Sequence, residues 1–278
     1  MADADADAVI VGSGPAGSAV AQVLTEAGWS VIMLEKGRNH LVSLEAPHEP
    51  LGHLSNDEIK FISRHLLGPD PLVEPRTYRR TEDDGDHLVV GHVNSLPSTV
   101  GGGGYHADAK LPRLREDDFR VLSTFGPQDD ASVADWPFAY EDLEPYYAEV
   151  ERIVGVAGEE TNPFAAWRSS PYPMAPGPDM YGAVLTMQAA ERAGLHPYRA
   201  PSGINSVPYD GRPACNNCGF CGWYGCPIDA KGDPVALLRK ALRTGRLEVR
   251  PESRVTGVTL DGSGRKATGV RYLDAERV

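Results

Sequence analysis

The chain begins with two short apolar runs, separated by a glycine-rich turn and a helical pattern. Residues 8–11 and 31–34 are continuously apolar, as expected for parallel strands that are buried on both faces. The segment between them carries apolar side chains at helical spacing: Ala19, Val20, Val23 and Leu24. Gly28 ends the predicted helix over 15–27. The pattern predicts a βαβ unit at the start of an α/β fold.

Further helices and strands are predicted along the rest of the chain. Helices are expected in "YEDLEPYYAEVERIVGV", "MYGAVLTMQAAERAG" and "PVALLRKALRTG". Strands are expected in "LEVRP", "RVTGVTL" and "ATGVRYL", with "DGSGRK" joining the last two in a hairpin. The first helix should end at Gly155, and its core-facing stripe is predicted as Leu143, Tyr146, Tyr147, Val150 and Val154. This order predicts a Rossmann-like domain with a mixed sheet and a β-hairpin, spanning residues 1–278.

Three segments depart from this regular pattern. Residues 37–95 are polar and rich in proline, which predicts an irregular excursion with a solvated hairpin at "TEDDGD". Residues 212–232 form a predicted loop that contains every cysteine. A run of four glycines argues against helix or strand, since glycine loses the most backbone entropy on ordering: Gly101, Gly102, Gly103 and Gly104. We therefore expect a sharp bend there, or another group lying close to the backbone.

The charge and composition of the chain exclude some classes of binding partner. A net charge of −12 argues against nucleic acid or an anionic membrane as a partner, because both recruit lysine and arginine. The first residues lack the basic and apolar regions of a secretory signal, and no apolar run is long enough to span a bilayer. We expect a cytoplasmic protein, unless it is exported with a partner that carries a signal.

The first glycine turn matches a dinucleotide-binding fingerprint. Gly12, Gly14 and Gly17 form G-x-G-x-x-G directly after a strand and at the start of a helix, and Glu35 ends the next strand. Gly12 permits the turn, Gly14 lets a pyrophosphate reach the backbone, and Gly17 lets helix and strand pack closely. Glu35 is expected to accept hydrogen bonds from the adenosine ribose. The predicted contacts are Gly12, Gly14, Pro15, Ala16, Gly17, Glu35 and Lys36. The motif does not distinguish NAD from FAD, and a glycine-rich turn without a nucleotide is the alternative.

All four cysteines lie within twelve positions, in "CNNCGFCGWYGC". Cys215, Cys218, Cys221 and Cys226 form C-x2-C-x2-C-x4-C-P, one residue longer than a ferredoxin-like run. This spacing favours an iron-sulfur cluster of three or four irons. The alternatives are a structural zinc site, which usually has two more widely separated C-x2-C pairs, and a metal-free loop of buried or disulfide-linked thiols.

Five segments together resemble the glucose-methanol-choline flavoprotein oxidoreductases, and within them the large subunits of gluconate dehydrogenase and FAD-dependent glucose dehydrogenase and the pyranose-oxidase-like branch. The segments are "DAVIVGSGPAGSAVAQVLTEAGWSVIMLEKG", "VGGGGYHADAKLPRLREDDF", "DWPFAYEDLEPYYAEVERIVGVAG", "CNNCGFCGWYGCPIDAKGD" and "LEVRPESRVTGVTLDGSGRKATGVRYL". The resemblance implies FAD as the cofactor. It places the glycines 101–104 at the isoalloxazine ring, makes His106 a flavin contact, and brings the backbone around Val255 close to the adenine.

The resemblance also bears on the roles of His106, the hairpin around Val255 and the cysteine-rich segment. Relatives that attach flavin to a histidine have "WHW" or "THW", whereas this chain has "YHA", so a covalent link at His106 is not expected. Without a flavin, His106 would be a loop histidine bonded to the backbone, and Val255, Val258 and Leu260 would be the buried face of a hairpin. Large subunits of the resembled branch use a cysteine-rich insertion to pass electrons from flavin to a cytochrome subunit.

In the resembled family, the catalytic histidine pair lies in the C-terminal part of a longer chain. No histidine here is therefore expected to be the catalytic base. We expect the substrate domain to be absent from this chain, and a second polypeptide or a continuation to cover the edge of the last strand.

Three functions follow as hypotheses. The leading one is part of an FAD-dependent oxidoreductase that takes a hydride from an alcohol carbon of a sugar or glycoside. The second is a non-catalytic FAD-binding, electron-transfer or scaffold subunit of a larger complex. The third is an NAD-linked reductase with a zinc loop, which would bind nicotinamide and lack flavin colour.

Overall fold

The computed structural model describes residues 5–39, 77–78, 89–90, 98–129, 131–219, 221 and 225–274. Most of the predicted excursion over 37–95 and part of the cysteine loop lie outside these residues. The strands are β1 (Ala8–Val11), β2 (Val31–Leu34), β3 (Thr77–Tyr78), β4 (Val89–Val90), β5 (Leu247–Arg250), β6 (Arg254–Leu260) and β7 (Ala267–Leu273). The α-helices are α1 (Pro15–Glu26), α2 (Gly102–His106), α3 (Val121–Phe125), α4 (Tyr140–Val154), α5 (Tyr181–Arg192) and α6 (Pro234–Arg243).

The predicted βαβ unit is present, with α1 beginning at the proline of the glycine turn. Ala8 pairs with Val31 and Val11 with Leu34 in a parallel register, and β2 pairs in parallel with β5 on its other side. Strand β2 is buried throughout, as its unbroken apolar run predicts. The core of this sheet includes Met33 and, from α6, Leu238, both fully buried.

The α/β prediction is confirmed, with one difference in detail. The strands of the sheet β1-β2-β5 run parallel, whereas the antiparallel pairs β3-β4 and β6-β7 form separate two-stranded ribbons among the described residues. The turn "DGSGRK" joins β6 to β7 as predicted, and Asp261 N donates to Lys266 O at 2.8 Å to close the hairpin.

The chain expected to form one domain divides into two compact units. The first comprises residues 1–108, 219–229 and 233–278, and contains the parallel sheet and the hairpin. The second comprises residues 109–218 and 230–232, and contains α3, α4 and α5. Within the second unit, residue Ala157 exchanges backbone hydrogen bonds with Ser202 at 2.8 and 2.9 Å.

Helix α4 ends at Gly155 in a left-handed conformation, as predicted, but its buried face coincides only in part with the predicted apolar stripe. Tyr146 and Val150 are exposed, and the buried positions include Glu144 and Glu151. These two glutamates turn inward because Arg113, whose side chain is only 5% exposed, forms ion pairs with both of them at 2.8 Å. A pattern that counts only apolar residues therefore finds part of the buried face, Leu143, Tyr147 and Val154, and misses the two glutamates beside it.

The hairpin β6-β7 leaves apolar side chains in solvent. Val258 and Leu260 are more than half exposed and Leu273 is 41% exposed. The alternative that treated Val258 and Leu260 as the buried face of a hairpin is therefore wrong for the described residues. A two-stranded ribbon has no second layer of its own on which to bury such a face.

Candidate nucleotide-binding site

The glycine turn connects β1 to the N-terminus of α1. Gly12 adopts φ +91°, a conformation that favours glycine, and its N–H donates to Leu34 O at 2.8 Å. Gly14 is the residue before the helix, and no side chain of the described residues caps the N–H groups of the first turn. The first helical bond runs from Ser18 N to Gly14 O, so the preceding N–H groups have no acceptor within the helix. These groups and the helix dipole favour an anion at this point.

Gly14 and Gly17 occupy opposite environments. A Cβ atom added at Gly14 would meet no atom of the described residues within 4 Å, so this backbone is open to a ligand. A Cβ atom at Gly17 would lie 2.1 Å from Gly12 O and 3.3 Å from the Cγ2 of Ile10. Gly17 is therefore required by the packing of α1 on β1, which is the role that the fingerprint predicts for the third glycine.

Glu35 is buried directly after β2 and accepts three hydrogen bonds from residues that the structure describes. Its Oε2 accepts from Ser13 N at 2.9 Å and from Ser13 Oγ at 2.7 Å, and its Oε1 accepts from Gly37 N at 2.8 Å. A carboxylate has about four acceptor positions, so these bonds leave room for about one further donor. The predicted bond to a ribose hydroxyl is compatible with that remaining capacity.

Ser13 is the residue that the sequence reasoning missed. It is completely buried, its hydroxyl donates to Glu35, and its Oγ accepts from Gly101 N at 2.9 Å. One side chain, that of Ser13, therefore links the glycine turn to Glu35 and to the polyglycine run. The fingerprint leaves this position unspecified, so no signal in the motif identifies it.

The polyglycine run begins a short helix, which corrects the expectation that four glycines argue against helix or strand. Gly101 adopts φ +91° and Gly102–His106 forms the single turn of α2. The expected close approach comes from the chain itself: a Cβ atom at Gly102 would lie 3.1 Å from Gly14 Cα, and one at Gly104 would lie 2.7 Å from Pro234 Cγ and 2.8 Å from Pro15 Cγ. This packing against the start of α1 offsets the entropy that four ordered glycines lose. The same segment supplies Gly103, which is exposed.

The remaining predicted flavin contacts differ in exposure. His106 is buried at the end of α2, and its ring meets the ring of Tyr105 edge-on with centroids 5.1 Å apart. Pro15, Ala16 and Lys36 are exposed. Val255 is partly buried and pairs with Tyr272 in the hairpin. The contacts of these residues with a flavin stay predictions.

The cysteine segment crosses from one unit to the other. Cys215 and Cys218 belong to the second unit, and Cys221 and Cys226 belong to the first. Cys226 is buried and the other three cysteines are partly buried, and Asn217 N donates to Cys215 Sγ at 3.3 Å. Among the described residues, which omit 220 and 222–224, no group of three or more histidine, cysteine or acidic side chains is arranged to hold a metal. The iron-sulfur cluster therefore stays a prediction without support from the structure.

The residues around the glycine turn fit a dinucleotide. The open backbone at Gly14, the uncapped first turn of α1 and the fixed carboxylate of Glu35 offer the three kinds of contact that a pyrophosphate and a ribose need. In the part of the chain that the structure describes, no helix has both the length and the apolar composition to cross a membrane.

A family described as an FAD binding domain matches residues 5–46, which contain the glycine turn and Glu35. The gluconate 2-dehydrogenase flavoprotein of Pantoea cypripedii is 31% identical over 97% of this chain and 48% of the relative. The large subunit of fructose dehydrogenase from Gluconobacter japonicus is 30% identical over 98% of this chain and 49% of the relative. The 6'''-hydroxyparomomycin C oxidase of Streptomyces lividus is 31% identical over 97% of this chain and 45% of the relative.

Solved structures agree at the level of the fold. A formate oxidase superposes with a TM-score of 0.52 at 14% identity, covering 100% of this chain and 44% of that chain. A variant of the formate oxidase of Aspergillus oryzae RIB40 gives a TM-score of 0.51 at 16% identity, covering 98% of this chain and 43% of that chain. The chain spans about half the length of the curated relatives it matches. These matches confirm that it resembles the glucose-methanol-choline flavoprotein oxidoreductases.

Proposed function

We propose that this chain is the FAD-binding part of an oxidoreductase that oxidises an alcohol group of a sugar or glycoside. The observation that carries the proposal is the glycine turn, in which the open backbone of Gly14 lies at the uncapped start of α1. The names of the similar proteins support the substrate class, since they refer to gluconate, fructose and hydroxyparomomycin C. Bound FAD would supply the acceptor for a hydride from the alcohol carbon.

The chain's own residues would bind and orient the cofactor. The N–H groups at the start of α1 would hold the pyrophosphate, and Glu35 would accept from the ribose. Ser13 keeps that carboxylate and Gly101 at hydrogen-bond distance from one hydroxyl, so the turn and the polyglycine segment are positioned together. We assign no histidine of this chain to the removal of the hydroxyl proton.

A second polypeptide, or a further part of the same one, is proposed to complete the enzyme. The apolar side chains of Val258, Leu260 and Leu273 on the hairpin support this, because an exposed apolar face on a ribbon is characteristic of a contact surface. The similar proteins named as a flavoprotein and as a large subunit support a partner subunit.

The cysteine segment supplies a separate hypothesis about the electron acceptor. If its thiols hold an iron-sulfur cluster, electrons would leave the flavin through iron to a partner, and anaerobically purified protein would contain about three or four irons per chain. Less than one iron per chain would leave the four thiols without a redox role.

The proposed function is tested with three glycine variants. Gly14→Ala should reduce FAD affinity at least about tenfold, because its methyl group projects into open space where the pyrophosphate would approach. Its unfolding free energy should change by less than about 1 kcal/mol, since only a capping position is altered. Fluorescence titration with FAD and urea unfolding measure the two quantities.

Two further variants control this test. Gly17→Ala should destabilise the fold, because its Cβ atom would clash with Gly12 O, and Gly182→Ala on α5 should bind FAD normally, because its Cβ atom would meet nothing within 4 Å. Equal FAD affinity of Gly14→Ala and the unaltered chain would refute the assigned site. If the FAD-loaded chain stays inactive on sugars with its completing polypeptide added, the non-catalytic scaffold function replaces the enzyme.

A further inference from the structure

The second unit contains a cavity that takes no part in the proposed nucleotide site. Its volume is about 380 Å³, within the range of small-molecule sites. Its charged lining residues are four arginines and one glutamate: Arg113, Arg115, Arg168, Arg199 and Glu159. Such a lining is unusual in a chain with a net charge of −12.

The carboxylates that balance these arginines lie mostly behind the cavity wall. Arg113 pairs with Glu144 and Glu151, and Arg168 also pairs with Glu151, yet neither glutamate lines the cavity. In each of these ion pairs the arginine therefore borders the cavity and the glutamate does not. Fixed dipoles of this orientation make the potential inside the cavity more positive.

The paired arginines are also held in place before any ligand arrives. Arg199 binds Glu159 at 2.7 Å and Asp179 at 2.5 Å, and the guanidinium of Arg168 lies 3.5 Å above the ring of Tyr172. A wall that is ordered in advance loses little entropy on binding.

Arg115 differs from the other three arginines. Its guanidinium is half exposed, and its ion pair with Asp117 is long, at 3.6 Å, so hydrogen-bond donors remain for a ligand. An arginine fork of this kind binds carboxylate or phosphate with two parallel hydrogen bonds. Arg115 is therefore the lining residue best suited to hold an anionic group.

The rest of the lining suits a compact organic body. Three aromatic side chains, Phe164, Tyr172 and Tyr198, line the cavity together with alanines and prolines. Aromatic faces pack against the C–H groups of a ring, while tyrosine hydroxyls form hydrogen bonds at the edge. Because Arg168 already covers one face of Tyr172, Phe164 and Tyr198 are the rings more open to a ligand, and an inorganic ion alone would leave them unused.

We propose that this cavity binds a small organic anion, a carboxylate or phosphate monoester on a sugar-sized ring. Arg115 takes the anionic group, Tyr198 packs against the ring, and the ion-paired arginines set the positive potential. The proposal concerns only residues of the second unit, and it does not depend on FAD binding.

Isothermal titration calorimetry of the 278-residue chain tests the proposal with four probes. Glucose 6-phosphate and glucuronate carry an anion on a ring, glucose carries the ring alone, and inorganic phosphate carries the anion alone. We expect at least one ring anion to bind about tenfold more tightly than glucose and than phosphate, since a charge-assisted hydrogen bond and ring packing each contribute. Preference between the two ring anions identifies the anionic group.

Three variants assign the binding to this cavity. Arg115→Gln should lower the affinity for the ring anion about 10- to 100-fold, as expected for the loss of hydrogen bonds to a charged group. Tyr198→Ala should lower the affinity for the ring anion about 2- to 10-fold and leave the affinity for phosphate unchanged. Arg192→Gln, a change of the same charge on an exposed arginine of the same unit outside the cavity, should bind normally.

Two results would overturn the proposal. One is the absence of binding by both ring anions at millimolar concentration, or binding of glucose as tight as theirs. The other is an equal loss of affinity in Arg115→Gln and Arg192→Gln, which would show a general charge effect. Circular dichroism of each variant checks that the loss does not come from unfolding.

Discussion

Two buried polar networks organise the two units of this chain, and they are built differently. In the first unit, one carboxylate, Glu35, is held by a serine hydroxyl and by backbone N–H groups. In the second unit, the guanidinium of Arg113 is enclosed by the carboxylates of Glu144 and Glu151. A buried acid can thus be stabilised by neutral donors, as at the proposed nucleotide site, or by an opposite charge, as in the packed second unit.

The largest expected effect is in the second network. Arg113→Met should destabilise the chain by about 3–5 kcal/mol, because two buried glutamates would lose their counter-charge. The pKa of Arg113 is raised: burial opposes the charged form, but bonds to Glu151, Glu144 and Tyr140 outweigh it. Urea unfolding measures the change in free energy.

The matched control is Arg152→Gln, which breaks an exposed ion pair with Glu149 on the same helix. Its effect should stay below about 1 kcal/mol. If both variants lost the same free energy, burial of the Arg113 cluster would not be what makes it important.

A smaller effect is expected in the first network. Ser13→Ala should destabilise the chain by about 1–3 kcal/mol, because it removes an acceptor for the buried Gly101 N–H and a donor to Glu35. FAD affinity should also fall, since the polyglycine segment and the glycine turn would no longer share a bond. Thermal unfolding and FAD titration measure the two effects. Ser263→Ala, at an exposed turn of the hairpin, should change neither.

The smallest expected effect is the contribution of Glu144 to the loss of stability at low pH. Burial acts to raise the pKa of Glu144, but hydrogen bonds from Ser169 and Arg113 outweigh it, so this pKa lies below its ordinary value. A carboxyl with a lowered folded pKa stabilises the fold above its unfolded pKa, and this contribution is lost as pH falls through the folded value. Stability should therefore decline below about pH 4.5.

Glu144→Gln separates this contribution from the rest of the acid response. The variant should be less stable at neutral pH and should show a shallower decline from about pH 5 to pH 3 than the unaltered chain. Unfolding free energies measured across this range provide the comparison. Parallel declines would show that Glu144 has no part in the acid sensitivity.

The elements and the glycine roles near the N-terminus could be predicted because they depend on neighbours in the chain. These features all lie within residues 8–34: the apolar runs of β1 and β2, the proline at the start of α1, and the close packing against Gly12 that leaves no room for a side chain at position 17. Periodicity and fingerprint spacing report such local constraints directly. The turn at Gly155 and the hairpin β6-β7 were predicted for the same reason.

The misses involve partners that are distant in sequence. Ser13 bonds Gly101 across 88 positions, and Arg113 bonds Glu151 across 38. The helix at the polyglycine run also packs against Pro15 and Pro234. Both prolines are far from it in sequence, so helix propensity calculated over neighbouring residues does not account for them. The sequence by itself thus determined the α/β class and the glycine turn between β1 and α1. Only tertiary contacts decided which polar groups are buried, because a buried charge is tolerated only where a distant partner meets it.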